Sequence, residues 1–327
     1  MTDSFTATGN KEAYAVFCEK NYVPLYSKPW WMDAVCGPEN WDVWLYEKGG
    51  TVQAAMPYYM ERRGDYRYIT KAPLSQTHGI TFSENDKRKL AKQAEFEEKI
   101  INEACAYIAG MNLDVYEQQY SHTFTNWSPF YWNKYSCILR YSYILEDTSD
   151  LDAIWNNYSA EYRNEIRKGQ KLVTVTDEIS EDEFYDEHEK VFLKQGKQCP
   201  FDRAFWSRLL NACTARNAGK MLCARDADGN VNALLFIVWD ERYIYHLLGG
   251  YMPEYASNQA YPVLTHHAIS IAHGMKLGYD FEGSMLKQVA RSFRQFGAVP
   301  MPYYRIRKVF NADIVRKEAE DSILHNK

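Results

Sequence analysis

Two carboxylates stand two residues apart at the end of a short apolar segment, Tyr279-Asp-Phe-Glu282. Because side chains alternate along a strand, Asp280 and Glu282 are predicted to share one of its faces. A carboxylate at a strand end can act as a general base or bind an ammonium group. It can equally cap the next helix or pair with Arg291 or Arg294. Both interpretations stay open at the level of sequence.

The segment that holds these carboxylates belongs to a repeated order of elements. In each copy, two apolar strands joined by a Gly turn precede a helix that ends at Gly-Met, and a strand ending in Glu follows. The first copy comprises Trp41–Met60 and Ile108–Glu117, and the second comprises Lys220–Asp240 and Ile271–Glu282. The sequence therefore predicts two copies of one α/β unit, whose differences should show which copy carries out chemistry.

Length and composition limit the number of domains, the kinds of partner and the cellular location that we expect for this protein. A chain of 327 residues predicts two domains, and a net charge of −5 without a basic block argues against DNA or other generic nucleic-acid partners. The polar N-terminus and the lack of a long apolar run predict a cytoplasmic protein with no transmembrane segment. The seven cysteines are scattered without metal spacing, so we expect reduced thiols and no metal.

A basic cluster lies at the end of a predicted amphipathic helix over Leu151–Lys171. Arg163, Arg167 and Lys168 fall near its C-terminus. Positive charge there either complements the negative end of the helix or contacts phosphates of a substrate. The sequence leaves both explanations open.

The second half continues as strand Arg242–Leu248, helix Ala260–Leu277, strand Tyr279–Glu282, a helix and a last strand. This order resembles the GNAT acyltransferase fold, and several motifs resemble the Fem-type, peptidoglycan-bridge branch of that superfamily. The motifs are Ser27-Lys-Pro-Trp-Trp-Met32, Ala72-Pro-Leu-Ser-Gln-Thr-His-Gly79, Arg163-Asn-Glu-Ile-Arg-Lys168, Tyr279-Asp-Phe-Glu-Gly-Ser-Met285, Phe293, Phe296-Gly-Ala298 and Pro302-Tyr-Tyr304. Their order along the chain carries the resemblance, which extends to about Phe310.

The resemblance implies an α/β (α+β) fold of tandem GNAT-like domains. Each domain is expected to have a mixed, mostly antiparallel central sheet flanked by helices. We expect a degenerate, acceptor-side domain over residues 1–140, an acyltransferase domain over 141–310 and a charged tail over 311–327.

The resemblance also implies a donor loop, in which backbone amides at a helix start bind the pyrophosphate of acetyl-CoA or another acyl-CoA. No metal is implied. Many relatives have a glycine where this chain has Ser257-Asn-Gln-Ala260, and its loss hinders close approach of a pyrophosphate to the backbone. The donor residues implied are Gly249, Gly250, Tyr251, Ser257, Asn258, Gln259 and Ala260.

Acyl transfer to an amine needs a base and a proton source for the leaving group. Glu282 is the first choice as base and Asp280 the second, while Tyr304 is the acid by analogy with other GNAT enzymes. His246 on the central strand either faces substrate or is a satisfied core histidine. The substrate side is assigned to Arg163, Arg167, Lys168, Trp132, His246, Ser284 and Arg291.

The function implied is N-acyl transfer from acyl-CoA to an amine of a cell-envelope or polysaccharide precursor. The acceptor is then a small-molecule amine or amino sugar, free or linked to a lipid or nucleotide. An aminoacyl-tRNA-dependent transferase is the alternative, although a broad basic surface for tRNA is not visible. A non-catalytic sugar- or nucleotide-binding protein is the third hypothesis.

Overall fold

The computed structural model describes residues 10–84, 88–194, 196–283 and 285–325. The chain divides into two compact units. The first comprises Met1–Arg140 with Pro302–Lys327, and the second comprises Tyr141–Met301. The units therefore divide after Arg140 and after Met301. The expected domain bounds, residues 1–140, 141–310 and 311–327, stay predictions.

The elements are numbered in chain order. The helices are α1 (Asn10–Lys20), α2 (Pro29–Cys36), α3 (Leu90–Gly110), α4 (Ser128–Trp132), α5 (Leu151–Asn157), α6 (Ala160–Gly169), α7 (Glu181–Lys194), α8 (Arg203–Thr214), α9 (Ala260–Met275), α10 (Lys287–Gln295) and α11 (Ala312–His325). The strands are β1 (Trp41–Lys48), β2 (Thr51–Arg63), β3 (Tyr66–Thr70), β4 (Thr81–Phe82), β5 (Val115–Gln119), β6 (Ser136–Leu145), β7 (Thr174–Thr176), β8 (Gly219–Arg225), β9 (Val231–Trp239), β10 (Tyr243–Tyr251), β11 (Gly278–Asp280) and β12 (Val299–Val309).

In the first unit the strands lie in the order β1-β2-β3-β5-β12, and β4 pairs with β2. The β3–β5 pair is parallel, and the other pairs are antiparallel. The β1–β2 hairpin turns at Gly49 and Gly50, whose φ angles of 61° and 72° suit a two-residue hairpin turn.

The core of the first unit lies between the sheet and α3. Ile100, Ile101, Ala104 and Ile108 recur at helical spacing on α3 and are buried against the sheet. Burial of each such side chain contributes about 1.5–3 kcal/mol. Helix α3 is thereby fixed across the β3–β5 pair that it connects.

In the second unit the order is β6-β11-β10-β9-β8-β7. The β10–β11 pair is parallel and its neighbours pair antiparallel. Strand β9 is buried along nearly its whole length, as expected of a central strand. Helix α9 packs Leu264, Ala268 and Ile269 into the core of this unit.

The two units thus repeat one plan, in which a helix connects the two strands of a parallel pair inside a mostly antiparallel sheet. Helix α3 plays this part in the first unit and α9 in the second. The predicted fold class, tandem domains with mixed sheets flanked by helices, is confirmed.

The last strand of the chain is placed differently from the prediction. Strand β12 pairs with β5 in the first unit, with Arg307 opposite Glu117. Strand β6 pairs with β11, where Leu145 lies opposite Tyr279. The second unit ends at Met301, so most of β12 belongs to the first unit.

The helix predicted over Leu151–Lys171 is two helices, α5 and α6. Tyr158 and Ser159 are extended, and the Ser159 side chain accepts a hydrogen bond from the backbone N–H of Tyr162. A serine that caps a helix start in this way favours a new helix over continuation of the old one. The apolar stripe continued across the break and concealed it.

Candidate active site

The parallel strands β10 and β11 part at what we call the fork, the point beyond Tyr245 and Asp280. They are paired at only three positions, from Tyr243–Gly278 to Tyr245–Asp280. Strand β11 ends there, while β10 continues to Tyr251 paired with β9. The β9–β10 register shifts between His246 and Leu248, and such a bulge bends a strand. Backbone pairing between β10 and the chain after β11 therefore stops at the fork.

Asp280 lies at the fork and is 2% exposed. Its Oδ1 accepts hydrogen bonds from the Ser142 hydroxyl and from the Glu282 backbone N–H, the latter at 2.7 Å. Burial raises the pKa of Asp280 to about 7; the bonds from Ser142 and Glu282 lower it, and the charges of Glu146 and Asp240 raise it. This carboxyl can therefore exchange a proton near neutral pH, as a general base must.

Glu282 does not share a strand face with Asp280, contrary to the prediction. The strand ends at Asp280, and Glu282 has a left-handed φ of 64°. The bond from the Glu282 N–H to Asp280 Oδ1 favours this local turn. Burial raises the pKa of Glu282 well above its ordinary value, which favours the protonated form of this carboxyl.

Glycine is required directly after Glu282. Gly283 has a φ of 62°, and a Cβ there would lie 2.1 Å from the Tyr141 carbonyl oxygen. No side chain fits at that distance, so the turn that follows the fork depends on this residue.

Glu117, the counterpart of Glu282 in the first copy, has a different environment. It forms ion pairs with Arg305 and, at 3.1 Å, with Arg307, both on β12. Paired in this way, Glu117 has a structural role in the first sheet. The difference between the copies favours Glu282 and Asp280 as the chemical pair.

His246 is a buried histidine with both ring nitrogens engaged. Nδ1 lies 2.8 Å from the Tyr279 hydroxyl and Nε2 lies 2.6 Å from the Tyr261 hydroxyl. Burial lowers its pKa to about 3, so the ring is neutral. This geometry matches the satisfied core histidine, one of the two predicted interpretations. The substrate role stays a prediction.

The first part of the predicted donor loop is the end of β10. Gly249 and Gly250 pair with β9, and a Cβ on Gly249 would lie 2.8 Å from the Tyr261 hydroxyl. This glycine leaves room for the bond between Tyr261 and His246. Tyr251, the last residue of β10, is 49% exposed.

The second part of the loop leads into α9. Ser257 and Asn258 end a short 3-10 helix, Gln259 caps α9 with a left-handed φ of 54°, and Ala260 begins the helix. The side chain of Asn258 donates to Asn232 Oδ1 at 2.7 Å. The amides of the first helical turn form an anion-binding end, although Pro262 contributes no N–H.

Helix α6 packs closely on this loop. A Cβ on Gly169 would lie 2.6 Å from Val263 Cγ2 and 2.9 Å from the carbonyl oxygens of Asn258 and Gln259. Gly169 therefore permits the close approach of α6 to the start of α9. It brings the C-terminal end of α6 beside the predicted donor loop.

The basic residues of α6 have separate contacts. Arg163 donates to the Asn156 carbonyl at 2.7 Å, and the Arg167 guanidinium lies 5.3 Å from the centre of the Trp155 ring. Arg167 and Lys168 are exposed at the helix end, and Arg291 is exposed on α10. Phosphate binding by these residues stays a prediction.

Two predicted residues belong to the first unit and not to the unit that contains the fork. Tyr304 belongs to the first unit, where its ring packs against Trp127 with 6.1 Å between ring centres. Trp132, also in the first unit, is 56% exposed on α4. Ser284 lies outside the described residues.

In the first unit the gap that corresponds to the fork is filled by the chain itself. Beyond the β3–β5 pair, the backbone N–H of His78 donates to the Gln119 carbonyl at 2.6 Å, and the Gln119 side chain donates to the Gln76 carbonyl at 2.7 Å. This segment therefore pairs with the end of β5, beyond the point where β3 stops. No such segment is described between β10 and β11, so the fork is a feature of the second unit within the described residues.

Two residues of this site were missed by sequence reasoning. Ser142 holds Asp280 and lies 138 positions away in sequence, and Gly169 carries the contact of α6 with the loop. A serine on an edge strand has no sequence signal of its own. Gly169 follows the basic cluster and was a detectable sign of close packing.

Within the described ranges, no group of three or more His, Cys, Asp or Glu side chains could hold a metal ion. Nor does any helix in that part of the chain have both the length and the apolar character needed to cross a membrane.

Residues 156–284 match a family model described as an acetyltransferase (GNAT) domain. The matched segment lies within the second unit and contains the fork, the donor loop and both carboxylates. No curated protein matches the chain.

Several solved structures share the fold at low sequence identity. FemX has a TM-score of 0.67 and 10% identity, with 94% of this chain and 97% of that chain covered. A tandem GNAT protein from the clavulanic acid biosynthesis pathway has a TM-score of 0.52 and 10% identity, with 91% and 92% covered. L-PGS from Bacillus licheniformis has a TM-score of 0.52 and 11% identity, with 94% of each chain covered.

Proposed function

We propose that this chain is an acyltransferase of the Fem-like type that uses acyl-CoA as donor, on the basis of its match to a GNAT acetyltransferase domain and the fold it shares with FemX. The acceptor is an amine of a cell-envelope or polysaccharide precursor, free or linked to a lipid or nucleotide. The observation that carries the proposal is the fork, where β10 and β11 part beside the buried carboxyl of Asp280. The reaction takes place in the cytoplasm, where acyl-CoA is available.

The donor side rests on the loop from Gly249 to Ala260. It leads from the fork to the start of α9, whose free amides and dipole favour a pyrophosphate. Gln259 adopts the left-handed backbone conformation that a glycine would adopt at this position. The path of the backbone is therefore the one that a glycine would give, although Gln259 adds a side chain. The exposed Lys168 on α6 is placed to add positive charge near this loop.

The acceptor side rests on the two carboxyls. In the proposed reaction the Asp280 carboxylate removes a proton from the acceptor ammonium, and the freed nitrogen attacks the thioester carbon. A C–N bond forms, the C–S bond breaks, the leaving thiolate takes a proton from a neighbouring acid, and the nitrogen gives its second proton to the conjugate base of that acid. Burial favours the protonated form of Glu282, which makes it the nearby carboxyl able to supply that proton, while Tyr304 stays the sequence-based alternative.

Aminoacyl-tRNA is the second candidate donor. The similarity to FemX over nearly the whole of both chains favours it, as does Pro262, which removes one amide from the start of α9. An overall excess of 43 acidic over 38 basic residues works against binding of a long polyanion.

The proposal is tested by release of free thiol from acetyl-CoA and longer acyl-CoAs, with a panel of small amines and amino sugars. We expect thiol release that depends on both substrates. The Asp280→Asn variant should lower kcat by roughly 10²–10⁴-fold. Turnover with aminoacyl-tRNA and none with any acyl-CoA would contradict the proposed donor.

A further inference from the structure

Two large apolar side chains are exposed at the start of α10. Met285 and Leu286, the two residues before the helix, are 60% and 69% exposed. The core of the second unit takes Ala290 and Phe293 from the buried face of the same helix. Adjacent apolar side chains in water leave unburied a surface whose burial is favourable. Such a patch beside polar residues is typical of an interaction site.

The exposed face of α10 carries three cations, and the helix has no acidic residue. Lys287, Arg291 and Arg294 recur at intervals of four and three residues, which places them on one side of the helix. All three are exposed, and none forms an ion pair with a described residue. Arg294 donates to the Ala290 carbonyl of its own helix at 3.3 Å. Neighbouring cations repel one another, and an anionic partner would offset that repulsion.

Helix stability does not explain these residues. The N-terminal end of a helix carries partial positive charge, so acidic residues stabilise the first turn and basic residues destabilise it. The first turn of α10 begins with Lys287 and has no acidic residue. Leu286, at the cap position, forms no side-chain cap hydrogen bond. A leucine and a lysine at this helix start therefore favour a partner outside the chain.

The neighbouring helix α6 leaves these cations without an ion pair as well. The hydroxyl of Tyr162 on α6 lies 2.7 Å from the Ser292 hydroxyl on α10, so the two helices are in contact. Glu161 and Glu165 are the acidic residues of α6, and within the described ranges neither pairs with a cation of α10. The basic face therefore stays available to an external anion.

Apolar side chains beside cations fit an anionic lipid bilayer better than other anionic partners. Lipid phosphates attract Lys and Arg, while apolar side chains enter the boundary between headgroups and acyl chains. A nucleic acid would pair with the cations and leave the apolar side chains in water. A second copy of this chain would set the same cations against one another across a two-fold axis.

We propose that Met285, Leu286 and the basic face of α10 form a docking surface for an anionic lipid bilayer. The two apolar side chains enter the headgroup region, and the cations of α10 contact lipid phosphates. Met285 follows Asp280 by five residues, so docking holds the fork close to the bilayer. In that respect the inference rests on the proposed function, because a lipid-linked amine would meet the fork there. Its test contains no acyl donor and no acceptor, so the two proposals fail separately.

The test is sedimentation of the full chain with vesicles of phosphatidylcholine, either alone or mixed with phosphatidylglycerol. We expect the mixed vesicles to bind about tenfold or more tightly, and added salt to weaken that binding. Equal binding to both kinds of vesicle would overturn the role of the cations. Binding to neither, or binding to transfer RNA in their place, would overturn the docking surface.

Two variants locate the docking surface. Leu286→Ser should weaken binding to the mixed vesicles about tenfold. Arg294→Gln should weaken it about fivefold, the factor that one cation contributes at an anionic surface. Leu193→Ser and Lys197→Gln remove an exposed leucine and an exposed lysine elsewhere in the second unit, and should bind like the parent. All four positions are exposed, so the variants should fold.

The comparison of variants and controls decides the location. Parent-like binding by both Leu286→Ser and Arg294→Gln would mean that another surface meets the bilayer. Equal weakening by the variants and their controls would mean that apolar and basic residues act without regard to position. Either result would overturn the assignment to α10.

Discussion

Substitution of Asp280 by Asn should make the protein more stable at alkaline pH. The folded chain holds the Asp280 proton up to about pH 7, whereas an ordinary aspartate releases it near 3.8. Between these values the folded state binds more protons than the unfolded state, so stability falls as the pH rises. At about 1.4 kcal/mol per pH unit, the free energy of unfolding above pH 7 should be roughly 4 kcal/mol lower than its value below pH 4 through this group alone.

The assay is urea unfolding of the parent and of Asp280→Asn from about pH 4 to about pH 9. Asn has the shape of the protonated carboxyl and can still accept the bonds from Ser142 and the Glu282 N–H. The variant should therefore lack the parent's decline between about pH 4 and 7, and the two curves should separate by roughly 4 kcal/mol. Other titrating groups affect both proteins alike and cancel in the difference.

Ser142→Ala is the matched control. Removal of the hydroxyl that lowers the pKa of Asp280 should shift the end of the decline to higher pH. A difference between parent and Asp280→Asn that does not vary with pH would refute the reasoning. It would mean that Asp280 ionises normally and is not the group that exchanges a proton at the fork.

Four further variants test the site. Gln259→Gly relieves the strain of a left-handed non-glycine residue, so the free energy of unfolding measured in urea should rise by about 1 kcal/mol. The KM for acyl-CoA should not rise. Gly169→Ala forces a methyl group against Val263, so it should lower the free energy of unfolding by about 1–3 kcal/mol and raise the KM for acyl-CoA. An unchanged KM would mean that α6 does not contribute to the donor site. Glu117→Gln should lower the free energy of unfolding by under about 1 kcal/mol and leave kcat unchanged. Glu282→Gln should lower kcat. Equal effects of the two substitutions on kcat would contradict the distinction between the copies.

The repeat was the strongest sequence signal, because hairpin, helix and strand recur with their own hydrophobic periods. The two-unit organisation followed from it, whereas the fold class was implied by the family resemblance. The strand that each of β6 and β12 pairs with did not follow, since both are strands of mixed polarity, with 10 and 11 residues. Long-range pairing decides which sheet each one joins, and periodicity carries no information about that pairing.

The sequence predicted residues of the candidate site but not the environment of each one. Asp280 and Glu282 were found from their place at a strand end, and the loop to Ala260 from its turn residues. The environments of Asp280 and Glu282 depend on burial and on the hydrogen bond from Ser142 to Asp280, which joins residues at opposite ends of the second unit's sequence. Strand alternation also failed at Glu282, because a local hydrogen bond ended the strand two residues early.

The most direct measurement is a crystal structure with a non-reactive acyl-CoA analogue. The pyrophosphate should lie on the backbone amides of Ala260 and Tyr261, and the carbonyl should lie between the ends of β10 and β11, beside Asp280. An analogue bound elsewhere, or strands paired beyond Tyr245 once it is bound, would contradict an acyl transfer at the fork.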